Sequence, residues 1–158
     1  MEGKSALVLG ASGLVGRELL EFLLTAPEYS RIVILVRDSL DLRHPKLEQR
    51  LINFEDLAFH QECFKVNDIF CCLGTTIKKA GSQKEFTKVD VEYPLESARL
   101  ACEMRADKFL VITSMGANPD SRIFYSRMKG VLEEKLKVLD IKSLHIFRPS
   151  LLLGKRKD

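Results

Sequence analysis

Three glycines at positions 10, 13 and 16, in GASGLVG, constrain the fold of this 158-residue chain more than any other feature. They follow the short apolar run SALVLG and precede Leu14, Val15, Leu19, Leu20, Phe22, Leu23 and Leu24, which recur at helical spacing until Ala26-Pro27. The pattern reads as strand, tight turn, helix. Each glycine then has its own reason. Gly10 permits a sharp exit from the strand, Gly13 lets a phosphate approach the backbone with no Cβ between, and Gly16 lets helix and strand pack closely. The helix start adds free N–H groups and a positive dipole end. Gly10, Ser12, Gly13, Leu14, Val15 and Gly16 are therefore the expected pyrophosphate cradle of a dinucleotide, although their spacing is one residue longer than the GxGxxG fingerprint.

The rest of the chain repeats the alternation. RIVILV (31–36) reads as a second strand, a run near Arg50 to Phe54 as a weaker third, and DIFCCLG (68–74) as a fourth. KFLVITS (108–114) and SLHIF (143–147) read as the fifth and sixth. Residues 75–90 read as a loop, and Glu92 to Met104 and Ser121 to Leu139 as helices. Almost wholly apolar strands between helices imply a parallel sheet covered on both faces. The expected fold is α/β: a three-layer, Rossmann-type doubly wound parallel sheet forming one domain over residues 1–158. The chain reaches RPSLLLGKRKD soon after the sixth strand, so it reads as truncated, with the substrate-binding part expected beyond it.

Composition narrows the partners. A net charge of +3 from 25 basic and 22 acidic residues is too small to mark a nucleic-acid or membrane surface. Lys78 with Lys79, and the terminal Lys155, Arg156 and Lys157, read as solvated loops. Cys63, Cys71, Cys72 and Cys102 lack disulfide or metal-ligand spacing and read as buried free thiols in a reducing compartment. His44, His60 and His145 show no ligand spacing either, so no metal site is expected. The opening MEGKSALVLG runs into the glycine turn without forming a signal peptide, which makes the cytoplasm the expected location. A small-molecule substrate is the expected partner, with a protein partner or a twofold mate left open.

In such a sheet the adenosine ribose is read at the end of the second strand, here Val36-Arg37-Asp38. Arg37 suits a 2′-phosphate and favours NADP, while Asp38 keeps NAD open. Tyr125 and Lys129 lie four apart on an expected helix and share one face, just after the strand that ends at Ser114. A tyrosine hydroxyl with an ordinary pKa of about 10 exchanges protons poorly at neutral pH, and a neighbouring ammonium favours its phenolate. Tyr125 would then be the acid/base, Lys129 its tuner and Ser114 the group that orients a carbonyl.

The segments GASGLVG, CCLGTT, TSMGAN, YSRMK and FRPSLLLG, in this order, resemble the short-chain dehydrogenase/reductase superfamily, and more narrowly its atypical Tat-interacting oxidoreductase-like branch. The resemblance covers nearly the whole chain. It implies an NAD(P)-dependent oxidoreductase acting on a small carbonyl or alcohol, with Ser114, Tyr125 and Lys129 in the catalytic places. It also implies that Leu73, Gly74 and Thr75 line the cofactor, that Asn53 and Phe54 lie near the adenine, and that Arg148, Pro149 and Ser150 lie beside the nicotinamide. Asp90 falls where many relatives have a helix-bending asparagine. That departure, together with regulatory proteins in this branch, keeps a non-catalytic NADP-binding sensor as the alternative.

Overall fold

The computed structural model describes residues 3–155, so Arg156 and Lys157 of the terminal basic cluster lie outside the described residues. Among the described residues, six strands form one sheet: β1 (Lys4–Leu9), β2 (Tyr29–Val36), β3 (Leu47–Leu51), β4 (Asp68–Cys71), β5 (Lys108–Ile112) and β6 (Leu144–Phe147). All neighbours pair in parallel, in the order β3-β2-β1-β4-β5-β6. After β3 the chain returns to the centre to lay β4 beside β1. The order reverses there, and this opens a crevice at the carboxyl ends of the two central strands.

Alternation along the strands divides the core between the two faces. Leu7, Leu9, Val33, Leu35, Ile69, Cys71, Phe109 and Val111 pack on one side, beneath α4 (Tyr93–Glu103), α5 (Phe124–Lys137) and the kinked 3-10 stretch Phe54–Phe64. Ala6, Val8, Ile32 and Ile34 pack on the other, beneath Leu20, Leu23 and Leu24 of α1 (Leu14–Thr25). Both faces of β1 and β2 are thus dry, which is why these strands read as unbroken apolar runs.

Three details differ from the expectations. The third strand is Leu47–Leu51, not the run from Arg50 to Phe54. It is an edge strand whose residues are half-buried or exposed, and its LEQRL sequence has no apolar run to betray it. Residues 75–90 are not a plain loop. They hold α2 (Ile77–Ala80), α3 (Gln83–Thr87) and the start of a π-helical turn, Lys88–Glu92, that leads straight into α4. Thr76 and Ser82 cap these short helices by accepting from Lys79 N–H and Glu85 N–H, and Gly81 at φ +83° closes α2. All four cysteines are free, but only Cys63 and Cys71 are buried; Cys72 and Cys102 are half-buried, because Cys72 lies past the end of β4 and Cys102 sits at the outer side of α4.

Candidate active site

Parallel register brings the carboxyl ends of the strands to one edge, with Leu9 opposite Leu35 and Cys71, and Cys71 opposite Val111. The residues that follow each strand therefore surround the crevice. Gly10 leaves β1 at φ +80°, and a Cβ there would come within 2.4 Å of the Cys72 carbonyl oxygen. Gly16 is more tightly enclosed: its Cβ would lie 2.0 Å from the Gly10 carbonyl oxygen. Glycine is demanded at both positions by the chain itself. Gly13 differs, because its Cβ would meet nothing closer than the Gly10 oxygen at 3.4 Å, and its φ of −78° suits any residue.

Gly13 is the N-cap of α1, and among the described residues no side chain caps the helix there. The first turn also lacks an acidic residue, and Ser12 and Gly13 are exposed. Leu14 and Val15 are half-buried in that turn. An uncapped positive helix end beneath an open glycine is the chemistry that a pyrophosphate needs, so the residues present fit a dinucleotide. The stretch after β6 passes the same helix end: Lys155 carbonyl oxygen accepts from Arg17 at 3.3 Å.

On the far side of the crevice, α5 carries Tyr125, Lys129 and Glu133 at successive turns of one face. Tyr125 is 39% exposed, and its ring packs on buried Phe86 of α3 with centroids 5.7 Å apart. Lys129 is only 4% exposed, and its Nζ lies 5.5 Å from the Tyr125 ring centroid. Ser114 is half-buried just past the end of β5. The segment following it is held against α5 by Gly130, where a Cβ would stand 2.2 Å from Asn118 C and Pro119 N. In the sequence Gly130 is a glycine inside an otherwise sound helical pattern, which is itself a signal of close approach.

The buried charge of Lys129 is met by Asp90, whose Oδ1 accepts from Nζ at 2.6 Å. Asp90 is 1% exposed and sits in the π-helical turn, a bulge that swings it inward. Its Oδ2 accepts from the Thr75 N–H at 3.0 Å, so one carboxylate ties the loop after β4 to α5. Gly74 faces the same carboxylate, and Leu73 packs on the core. Burial pushes the Asp90 carboxyl above the ordinary carboxylate range, against the Lys129 ammonium and the Thr75 N–H, which pull it down.

The remaining candidates are placed as follows. Arg148 follows β6 and grips Glu133 through two bonds, Nε to Oε1 at 2.9 Å and Nη2 to Oε2 at 2.5 Å. Glu133 is 2% exposed and also accepts from the Thr113 hydroxyl at 2.7 Å. Pro149 accepts through its carbonyl from Met115 N–H at 3.0 Å, and Ser150 is exposed. Asn53 caps the 3-10 stretch through Oδ1, accepting from Glu55 N–H, while the Phe54 ring turns into the core against Tyr93. Arg37 and Asp38 are exposed at the end of β2.

This arrangement has counterparts among known proteins. No family model matches the chain. Protein HTATIP2 of Rattus norvegicus is 36% identical over 100% of this chain and 66% of its own length. The mitochondrial protein FMP52 of Candida albicans is 32% identical over 98% of the chain and 69% of its own length. The chain thus spans about two thirds of these relatives. Among solved structures, the Bordetella bronchiseptica enzyme WbmH in complex with NAD+ superposes with a TM-score of 0.81 over 99% of this chain and 58% of that one, at 16% identity. A short-chain dehydrogenase/reductase superfamily protein from Agrobacterium tumefaciens with bound NAD gives 0.74 over 91% of this chain and 48% of that one, at 16% identity. Likeness at that identity concerns the fold.

One expectation is overturned here. The cytoplasmic location fails against the FMP52 relatives of Candida albicans and Saccharomyces cerevisiae, which are named mitochondrial. Nothing in the opening residues had argued for the cytoplasm beyond the lack of a recognisable leader, and such a lack carries no positional information. Among the described residues no helix is long and apolar enough to cross a membrane.

Proposed function

We propose that this chain, which belongs to the group of proteins that includes HTATIP2 and FMP52, is of the atypical short-chain dehydrogenase/reductase type: an NAD(P)-dependent oxidoreductase acting on a small carbonyl or alcohol. The observation that carries this reading is Lys129, buried beneath a half-open Tyr125 on the crevice side of α5. The glycine turn and the start of α1 would hold the pyrophosphate through backbone N–H groups. A bound reduced dinucleotide would supply hydride to a carbonyl carbon; on the protein's side the Tyr125 hydroxyl would give its proton to the carbonyl oxygen, and water would reprotonate the phenolate. Ser114 would orient the carbonyl oxygen, Lys129 lies against the Tyr125 ring, and Phe86 supports that ring through a tilted aromatic contact. Arg148, braced by Glu133, stiffens the wall at the end of β6.

With NADPH and a panel of aldehydes and ketones, turnover is expected from the intact protein, and Tyr125→Phe is expected to lower kcat at least 100-fold, within the usual range for loss of a general acid. Turnover that survives Tyr125→Phe sinks the assignment. NADP is the preferred form because Arg37 stands exposed where the 2′-phosphate would lie. Arg37→Ala is expected to weaken NADP binding about tenfold or more, as befits loss of a charge-assisted hydrogen bond, and to leave NAD binding within about twofold. Titration calorimetry with both dinucleotides decides it, and equal losses would remove the preference.

A second reading is a dinucleotide-sensing protein without turnover. The Lys129 charge favours it by being spent on Asp90. Dinucleotide binding at micromolar affinity with no turnover across the panel would select it.

A further inference from the structure

The Lys129–Asp90 pair combines three features that a simple stabilising contact does not need. Both side chains are almost wholly out of water, at 5% and 1% exposure. Desolvating two charges costs about as much as their attraction returns, so a buried pair is poor value as a source of stability. The same carboxylate also reaches the Thr75 N–H in the loop after β4. Finally, the ammonium it neutralises is the one that lies against the Tyr125 ring. An ammonium alone in that position draws a phenol toward its phenolate. A carboxylate 2.6 Å from the ammonium cancels most of that pull.

We propose that Asp90 is a positioning residue that fixes Lys129 beside Tyr125 and neutralises its charge there, so that Tyr125 serves as a proton donor. The inference rests on Tyr125 and Lys129 being the acid/base pair argued above. Among the described residues, few other charges face this pair. From β4, Cys71 stays neutral, its thiol pushed up to about 12 by burial. One turn along α5, Glu133 is already matched by Arg148. From α3, Phe86 brings only an aromatic ring. Asp90 is thus the group that decides how much of the Lys129 charge Tyr125 feels, and it ties that setting to the loop after β4.

The test needs neither substrate nor cofactor. Phenolate absorbance is titrated through alkaline pH in the full chain, and the Tyr125 step is isolated by subtracting the same protein carrying Tyr125→Phe. Asp90→Asn keeps an acceptor for Thr75 and removes the charge; it is expected to move the Tyr125 step down by about one pH unit or more. The pair Asp90→Asn with Lys129→Met leaves no stranded charge and is expected to keep the step within about half a unit of the unsubstituted chain. Should Asp90→Asn alone not fold, the double variant decides. An unmoved step in Asp90→Asn, or a rise of about one unit or more in the double variant, overturns the proposal. A failure of the acid/base assignment shows elsewhere, as turnover that survives Tyr125→Phe.

Discussion

Gly13→Asp is expected to abolish dinucleotide binding while leaving the fold as stable as before, or slightly more so. The open space at Gly13 accepts a Cβ, and its backbone is already extended. As the N-cap of α1, an aspartate there would accept from first-turn N–H groups that no side chain of the described residues reaches. Such a cap gains about 0.3 kcal/mol over glycine. The same carboxylate takes the donors that a pyrophosphate would use and repels its charge, so affinity for NADPH should fall at least about 100-fold, a loss of about 2.7 kcal/mol. Calorimetric titration and a thermal melt on one sample measure both effects. A variant that loses stability and binding together would mean that Gly13 is a structural glycine, and the phosphate assignment would lose its support.

Gly16→Val should do the reverse and strike the fold itself. Its Cβ would overlap the Gly10 carbonyl at 2.0 Å and crowd Ala11 Cα at 3.0 Å, both backbone atoms that cannot turn aside. Relief requires α1 to lift from β1, which opens the core around Leu20, Leu23 and Leu24. Overpacking of this kind costs about 3 kcal/mol, or about 10 °C in Tm for a chain of this size. A melt within about 2 °C of the unsubstituted chain would show that the helix has slack which the structure does not suggest. Paired with Gly13→Asp, the result separates two glycines that look alike in the motif.

That separation marks the limit of what the sequence discloses. The motif predicts all three glycines, but only the packed chain distinguishes the ones required by its own backbone from the one left open. The central strands are legible because burial on both faces leaves unbroken runs such as ALVL and IVILV, whereas β3 is concealed by its edge position and its LEQRL sequence. The helices of residues 75–90 are hidden because α2 and α3, four and five residues long, bury between them only Phe86. The candidate pair Tyr125 and Lys129 is readable because its spacing is local. The partners that hold this face of α5 are not, since Asp90 meets Lys129 from 39 residues away and Arg148 reaches back 15 residues to Glu133. Asp90 is visible as an unusual residue, but nothing in one sequence says which cation it would find. Arg148 likewise reads as a crevice residue, and only the geometry reveals that two of its nitrogens are committed to Glu133.

The two ion pairs on α5 also impose a timetable on folding. Arg148 and Glu133 belong to one β5-α5-β6 unit and can meet as soon as that unit closes. Lys129 and Asp90 must wait for the loop after β4 and the π-helical turn to dock, and Gly10 must wait for Cys72 across the central strands. Contacts between distant segments carry the larger loop-closure cost and form late. During refolding, helical signal is therefore expected to return no later than nucleotide affinity.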